Sequence, residues 1–374
     1  MKVAIVTCYK QPDYGRAVAL RAGLVAIPNV QTIVIKNRHR GLLRYLEVIL
    51  RTLAVRWRQH PDVYLLTFRG YEMLPAILLI ALGKPVILDE LINPLEVVSE
   101  HRQLYHGGIK SKLMAMWSLF GGLYTVLLRR CRLVIADTTV HAQYSSRLSK
   151  VSLDKYRVIP VGADESIFKS GSHPVIQSSS RPVEQSGSTD NFMVLYYGSM
   201  VPLHGLKFVL AAAEQLKDQP RINFLLVGGG KKASLQIADS KAKGAHIEYR
   251  DWIDADKLPT VIARAGLCLG GPFGDTLQSQ LVTTGKTYQF LASAAPVLLG
   301  ETQETQTSQL FKDKRNCLMV LQGDAQVIAE AIQWAAAHPK ELAKIGLAGY
   351  ELYQKHFSEK VISQKLASLL NELS

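Results

Sequence analysis

The alternation of short apolar runs with longer amphipathic stretches constrains the fold of this chain more than any other feature. Twelve apolar runs, rich in valine, isoleucine and leucine, predict strands: Val3–Thr7, Val30–Ile35, Val63–Thr67, Pro85–Leu88, Leu133–Ala136, Tyr156–Pro160, Phe192–Tyr197, Ile222–Val227, His246–Tyr249, Leu267–Gly270, Pro296–Leu299 and Cys317–Leu321. The stretches between them have the period of helices, as at Leu42–Arg58, Leu206–Lys217, Lys257–Arg264 and Ala325–His338. Strands that are apolar throughout are typical of parallel sheets with helices on both faces. The pattern therefore predicts an α/β protein with doubly wound sheets.

The chain is too long for one ordinary core. Its 374 residues indicate two domains, at roughly 100–200 residues each. The segment 170–190 is rich in serine, glycine and proline, which predicts a flexible linker or surface excursion. We therefore expect a first domain at 1–169 and a second at 191–355, with a C-terminal helix at 356–374 that packs back on the first.

Composition excludes several classes of protein. Apolar residues make up 48% and charged residues 20%, as in ordinary soluble domains. No apolar run reaches the roughly 18–20 residues of a membrane-spanning helix, and the start MKVAIVT predicts a strand rather than a signal peptide. The cysteines lie far apart without a CxxC pair, as expected of reduced core residues in a cytoplasmic protein. They are Cys8, Cys131, Cys268 and Cys317.

The positive charge is concentrated in the first half. Residues 1–165 contain 23 Lys+Arg and 12 Asp+Glu, whereas residues 166–374 contain 21 and 19. A basic half indicates an anionic partner, such as a phospholipid surface or a phosphorylated acceptor, unless it serves only solubility. No nucleic-acid-binding motif accompanies the charge, so nucleic acid is not expected.

Two segments of the first half predict docking at the inner face of an anionic membrane. Segment 38–58 interleaves apolar residues with Arg38, Arg40, Arg44, Arg51, Arg56 and Arg58. Segment 113–128, flanked by basic residues, would form a helix of about 24 Å, shorter than the roughly 30 Å hydrocarbon core. One interpretation lays it in the interface with Trp117 and Tyr124 at headgroup depth. The other buries it as a core helix of the first sheet.

Ligands of parallel sheets bind beyond the carboxyl ends of the strands, so the loops that follow strands are the first candidates. The loop Gly198–Gly205, GSMVPLHG, leads into a helix near Leu206. Free N–H groups at a helix start suit an anion such as a diphosphate, and His204 and Lys207 add positive charge. An ordinary strand–helix turn is the alternative.

Three adjacent glycines form a second candidate loop. Gly228, Gly229 and Gly230 fit a G-x-G-x-x-A pattern that ends at Ala233, and Glu248 stands where a dinucleotide fingerprint has its acid. This pattern leaves an NAD(P)-dependent oxidoreductase open. A turn close to a nucleotide is the other interpretation.

Two further loops lie in the second half. The loop 270–276, GGPFGDT, contains Asp275, a carboxylate that either binds sugar hydroxyls or caps a turn. The segment 283–289, TTGKTYQ, lacks the first glycine of a P-loop. Lys286 nevertheless stands at a helix start, where it suits a phosphate.

Two acids follow the fourth strand. Asp89 and Glu90 are candidates for contacting or deprotonating an acceptor hydroxyl. The alternative is a pair of surface acids that balances nearby basic residues.

Taken in order, GSMVPLHG, GGG, GGPFGDT and GKTYQFLASAAPVL resemble the retaining glycosyltransferases of family four. That family has the GT-B fold, in which two Rossmann-like domains face each other across a cleft. Segment Tyr156–Phe168, YRVIPVGADESIF, is similar to the family's usual end of the first domain. Leu281 and Gln289 stand where the family has two glutamates, and Ser199 and His204 where it has arginine and lysine. A subgroup with PLHG, GGPFGDT and GKTxQF is the nearest match.

The resemblance implies a site. Gln289 would hydrogen-bond the nucleoside ribose, Asp275 the sugar, and Lys286 with Gly198–Gly205 the diphosphate. Such enzymes use no metal ion and no cofactor, because basic side chains and backbone N–H groups stabilise the leaving diphosphate. The predicted catalytic residues are Asp89, Glu90 and His204. The predicted donor-binding residues are Gly198, Ser199, His204, Gly205, Lys207, Gly228, Gly229, Gly230, Asp275, Thr276, Lys286 and Gln289.

We therefore expect a glycosyltransferase that moves a sugar from a nucleotide sugar to a hydroxyl, with retention of configuration. The acceptor would be lipid-linked or a growing glycan. Two alternatives remain. One is the NAD(P)-dependent oxidoreductase, and the other is a non-catalytic nucleotide-sugar-binding protein, which the missing glutamates permit.

Overall fold

The computed structural model describes residues 1–96, 121–168 and 191–373. The chain divides into two compact units, and the first is discontinuous in sequence. It comprises Met1–Val161 with Glu359–Ser374, and the second comprises Gly162–Ser358. The sequence-based limits at 169 and 355 differ slightly from these. The predicted linker, 170–190, lies outside the described residues.

Each unit is built on one six-stranded parallel sheet, as predicted. The first sheet has the order β2-β1-β3-β4-β5-β6, with strands β1 Lys2–Thr7, β2 Gln31–Lys36, β3 Val63–Leu66, β4 Val86–Asp89, β5 Leu133–Ala136 and β6 Tyr156–Val158. The second has the order β12-β11-β10-β7-β8-β9, with strands β7 Phe192–Gly198, β8 Ile222–Gly228, β9 Ile247–Arg250, β10 Leu267–Leu269, β11 Val297–Glu301 and β12 Leu318–Leu321.

Helices connect the strands and cover the sheets. In the first unit they are α1 Gly15–Val25, α2 Leu43–Gln59, α3 Leu74–Ala81 and α4 Thr139–Ser149. In the second they are α5 Leu206–Gln215, α6 Gly230–Ala242, α7 Leu258–Ala263, α8 Leu277–Leu281, α9 Gly285–Ala292, α10 Gln303–Ser308, α11 Ala325–Ala337 and α12 Pro339–His356. The last helix, α13 Glu359–Asn371, belongs to the first unit. Residues 121–130 are also helical.

Both faces of the first sheet are buried, as its apolar strands predict. Alternate residues of β1 point to opposite faces, so Ala4 and Val6 join one cluster while Val3 and Ile5 join another. The second cluster is closed by α13, whose buried residues are Ile362, Leu366, Leu369 and Leu370. The C-terminal helix therefore supplies part of the first unit's core.

The strand order fixes where ligands fit best. In each sheet the chain first winds in one direction and then returns to the other side of its first strand. The reversal falls between β1 and β3 in the first unit and between β7 and β10 in the second. A crevice opens at such a switch point, beyond the carboxyl ends of the strands. The loops after β7 and β10 therefore flank the second unit's crevice.

One expectation for the segment 113–128 is wrong. Tyr124 does not lie at headgroup depth, because it is buried in the core of the first unit together with Leu128. Residues 113–120, with Trp117, lie outside the described residues. Within the described ranges, no helix is long and apolar enough to cross a membrane.

Candidate functional site

The two loops at the second unit's switch point meet through glycine. Gly205 adopts φ +70°, a conformation that favours glycine. A Cβ atom there would lie 2.5 Å from the carbonyl carbon of Phe273 in the loop after β10. Gly205 thus allows the turn Pro202–His204 and the loop around Phe273 to pack backbone against backbone.

Lys286 lies in the first turn of α9 and is buried. Its Nζ atom has no hydrogen-bond acceptor in the described part of the chain, and it lies 4.2 Å from the centroid of the Tyr196 ring. Burial lowers the pKa of Lys286 to about 7, because removing an ammonium from water disfavours its charged form. A lysine held this way is stabilised in its charged form by any anion that reaches it.

His204 is the second basic group of this crevice. Its Nδ1 atom is buried and has no hydrogen-bond partner among the described residues. Burial, together with the nearby charge of Lys286, lowers the pKa of His204 to about 2. Two neighbouring basic side chains without an acidic partner form a site suited to an anion.

Gln289 lies one turn further along α9. Its Oε1 atom accepts a hydrogen bond of 2.5 Å from the hydroxyl of Tyr197, at the end of β7. The Tyr197 ring packs edge-on against Phe290. This contact fixes the orientation of the carboxamide and leaves its N–H groups for another acceptor.

The three glycines follow β8. Gly228 pairs with Gly198 across the sheet, and a Cβ atom on Gly228 would lie 2.4 Å from the Gly198 carbonyl oxygen. Gly229 and Gly230, both at positive φ, turn the chain into α6. The loop is one strand away from the switch point, and Glu248 is exposed and paired with Arg250. This position does not favour a dinucleotide fingerprint, which belongs at the switch point itself.

The predicted sugar-binding residues lie at the surface. Asp275 pairs with Lys207 at 2.7 Å, and about three-fifths of each side chain is exposed. The hydrogen bond from Lys207 lowers the pKa of Asp275. The Thr276 hydroxyl accepts a hydrogen bond from the Ser279 N–H and caps α8, and Ser199 is exposed. In this structure Lys207 and Asp275 therefore neutralise each other.

Asp89 and Glu90 are not surface acids, so that alternative is wrong. Both are buried. Asp89 forms an ion pair with the buried Arg16 at 2.8 Å, and Glu90 accepts hydrogen bonds from Tyr124 and Ser145. Burial raises the pKa of Glu90. Their carboxylate oxygens are thus already occupied by groups of the first unit.

Sequence reasoning missed an ion pair beside these acids. Asp137 follows β5 and lies 2.6 Å from Nδ1 of His141, four residues later in α4. Burial opposes the charge, but Asp137 and Glu90 outweigh it and raise the pKa of His141 to about 9. Its Nε2 atom is buried and has no partner in the described ranges. The signal was an Asp and a His four apart, directly after a strand.

Two aromatic features also escaped prediction. Tyr9, Tyr14 and Phe68 form a cluster with ring centroids 5.1–5.6 Å apart, in the loops after β1 and β3. These loops flank the first unit's switch point. In the second unit, the exposed Trp252 borders a depression of about 440 Å³ beyond β9.

Among the described residues, no group of three or more His, Cys, Asp or Glu side chains is placed to hold a metal ion.

A comparison with protein families finds one match. Residues 207–368 match the model of a family described as glycosyl transferase-like. No curated protein matches the chain by sequence.

Solved structures resemble the whole chain. Anabaena HepE in complex with UDP-glucose has a TM-score of 0.71 at 14% identity, with 100% of both chains covered. Sucrose-phosphate synthase from Thermosynechococcus elongatus has a TM-score of 0.71 at 16% identity, covering 100% of this chain and 99% of that one. A glycosyltransferase from Rickettsia africae has a TM-score of 0.64 at 13% identity, covering 100% and 98%.

These findings identify the fold. The two parallel sheets have the GT-B fold, as predicted. The match of residues 207–368 to the glycosyl transferase-like family supports a glycosyltransferase, and the solved structures support the fold.

Proposed function

We propose that this protein transfers a sugar from a nucleotide-sugar donor to a hydroxyl acceptor with retention of configuration. The observation that carries the proposal is the buried side chain of Lys286 beside His204, at the switch point of the second unit, because its Nζ atom has no hydrogen-bond acceptor among the described residues. A diphosphate supplies the negative charge that this pair lacks. The solved structures of Anabaena HepE contain UDP-glucose in one case and UDP in another, which makes UDP-glucose the first donor to test.

Each donor residue has a proposed role. Backbone N–H groups of the loop Gly198–Gly205 that the turn leaves free, together with the His204 side chain, contact the diphosphate, and Lys286 stabilises its charge. Gln289 donates to the ribose, with its oxygen held by Tyr197. Asp275 exchanges its bond with Lys207 for bonds to sugar hydroxyls, which frees Lys207 for phosphate. The exposed indole of Trp252 offers a surface on which the base stacks.

We propose that the leaving diphosphate is stabilised by these groups alone, without a metal ion or cofactor. Charge that develops on a phosphate oxygen is stabilised by donors already in place, because they need no reorganisation during the reaction. In the first unit, Asp89 and Glu90 influence the acceptor hydroxyl indirectly, through the side chains bonded to them, which are Arg16, Tyr124 and Ser145. The acceptor is lipid-linked or a growing glycan, and transfer takes place at the inner face of an anionic membrane.

The first experiment is a calorimetric titration with UDP, UDP-glucose, GDP-mannose and ADP-glucose. We expect one of the nucleotides to bind, and Lys286→Ala to weaken it by about 1.5–3 kcal/mol, the range for a hydrogen bond to a charged group. If Lys286→Ala bound the nucleotide as tightly as the wild type, Lys286 would not be part of the donor site and the proposal would lose its main support.

The second experiment separates transfer from binding. Donor and candidate acceptors are incubated with the protein, and the anomeric proton of the product is followed by NMR. Asp275→Ala is expected to reduce transfer far more than it reduces UDP binding. A protein that binds nucleotide sugars yet never transfers them would be the non-catalytic binder, and reduction of bound NAD(P) would favour the oxidoreductase.

A further inference from the structure

Helix α2 presents an apolar face to solvent as well as to the core. Its buried residues are Val48 and Thr52, which face the first sheet. Leu43, Leu46, Leu50 and Trp57 are instead 64, 56, 56 and 73% exposed. At 100° per residue these four side chains fall within an arc of about 60°. They form one continuous apolar stripe, and Leu42, 84% exposed, extends it at the start of the helix.

Arginines run alongside the apolar stripe. Arg44, Arg51 and Arg58 recur every seven residues, so they share an adjacent arc of the helix. Glu47, the only acid of α2, is engaged by Arg51 and by the backbone N–H groups that precede the helix.

The basic charge beside the stripe is only partly neutralised. Arg44 pairs with Glu72, whereas Arg38, Arg40 and Arg58 have no ion-pair partner in the part of the chain that the structure describes. The exposed side of α2 therefore consists of the apolar stripe and, next to it, a row of positively charged arginines.

We infer that this face of α2 docks on an anionic phospholipid surface, with the helix axis in the plane of the interface. The leucines and Trp57 enter the acyl boundary, and the guanidinium groups remain at the level of the lipid phosphates. An exposed apolar patch of this kind marks an interaction site on a soluble domain. Nucleic acid would bind the arginines through its phosphates but would leave the apolar stripe exposed to water. A phospholipid surface binds both, so charge and hydrophobicity together favour lipid. The inference names the partner of the proposed function, although its evidence is the surface of α2 alone.

The test is flotation of the protein with two kinds of vesicle. One contains phosphatidylcholine alone, and the other also contains about 30 mol% anionic phosphatidylglycerol. We expect recovery with the anionic vesicles at low salt and much less in high salt, since exposed charges are screened. The double substitution Leu46→Glu/Leu50→Glu should reduce recovery at least about tenfold, because two charges would have to enter the acyl boundary. Recovery equal to the wild type would overturn the inference.

A matched control is available in the same unit. Leu79 on α3 is 76% exposed but lies outside the stripe, so Leu79→Glu should leave flotation unchanged. Thermal unfolding of each variant shows whether the fold is retained. Trp57 emission should shift to shorter wavelength with anionic vesicles in the wild type, and this shift should be absent in Trp57→Phe.

Three other outcomes would also count against lipid docking. If the protein were recovered equally with neutral and with anionic vesicles, the arginines would not contribute to binding. Displacement of bound protein by a DNA duplex at low concentration, with no Trp57 shift, would indicate nucleic acid. A dimer that dissociates in Leu46→Glu/Leu50→Glu without any vesicle binding would assign the stripe to a second copy of the chain. UDP binding, measured separately, keeps failure of the glycosyltransferase proposal distinct from each of these.

Discussion

A single buried lysine, Lys286, is central to the site proposed in the second unit. Placing Lys286 in the protein interior costs free energy, because the charged form loses its water and, among the described residues, gains only the face of the Tyr196 ring. A buried polar group without a partner requires an explanation. The diphosphate that we propose as ligand would provide one, since it would restore the charge interaction that burial removes.

The first prediction is that Lys286→Met stabilises the free protein while weakening UDP binding. The folded pKa of Lys286 is about 7, below the roughly 10.4 of an unfolded chain. The unfolded state therefore binds more protons between pH 7 and 10, and wild-type stability rises with pH across that window. Methionine removes this dependence. Chemical denaturation should give the variant at least about 1 kcal/mol more stability at pH 7.

The control is Lys344→Met on α12, an exposed lysine. It should change neither stability nor UDP affinity beyond about 0.5 kcal/mol. If Lys286→Met lowered stability at pH 7 instead, the ammonium would be favourably placed without a ligand.

The second prediction is that UDP binding takes up protons. A bound diphosphate raises the pKa of Lys286, so affinity should rise as the pH falls from 9 toward 7. Calorimetry at pH 8 in buffers of different ionisation enthalpy measures the number of protons, which should approach one in the wild type and zero in Lys286→Met. An equal proton count in the two proteins would assign the uptake to another group.

The third prediction concerns the buried pair of the first unit. Asp89→Asn leaves the Arg16 guanidinium buried without its counter-charge, which should cost about 3–5 kcal/mol. Asp13→Asn, which breaks exposed pairs with Arg21 and Lys36, should cost about 0–1 kcal/mol. Similar losses of stability in denaturant titrations of the two variants would show that burial does not distinguish these pairs.

At the scale of the element, the sequence predicts the fold almost completely. All twelve predicted strands are present, because short apolar runs between turn residues leave few other structures. The positions of the candidate loops follow from the same pattern.

The partners of side chains could not be predicted. The sequence left open whether Asp89 contacts an acceptor or is a surface acid, because its counter-charge, Arg16, lies 73 residues away in sequence. The same applies to Tyr197, which orients Gln289 from 92 residues away. The solvent-facing stripe of α2 was hidden as well, since a helix with apolar residues on two sides does not reveal which side the sheet covers. Local patterns specify elements, whereas these contacts depend on how the elements pack.

The fourth prediction tests the junction of two elements. Gly205→Ala forces a Cβ atom against the Phe273 backbone, so it should lower stability by about 2–5 kcal/mol, the sum of left-handed strain and overpacking. Gly41→Ala has nearly the same φ, +65° against +70°, with nothing within 4 Å of the added Cβ. It should cost only the left-handed strain, about 1–2 kcal/mol. Equal losses of stability would place the loop after β10 away from Gly205.

At the scale of the whole molecule, one compact unit interrupts the other in sequence. The first unit is completed by α13, whose apolar residues pack with β1 and α1.

The fifth prediction is that Leu366→Ala destabilises the first unit by about 2–5 kcal/mol, because it opens a cavity beneath that helix. Proteolysis should then cut the first unit sooner, while UDP binding by the second unit persists. Lys360→Ala, on the exposed side of α13, is the control.

The position of α13 also affects the order in which the nascent chain folds. The ribosome delivers Val3 and Ile5 before the entire second unit, but the helix that covers them follows that unit. At about 5–20 residues per second, the roughly 200 residues of the second unit alone take about 10–40 s to translate. During that interval residues 162–358 are synthesised, and the apolar face of β1 still lacks its last cover and is open to chaperones. The unit that is translated first is therefore the last to become fully buried.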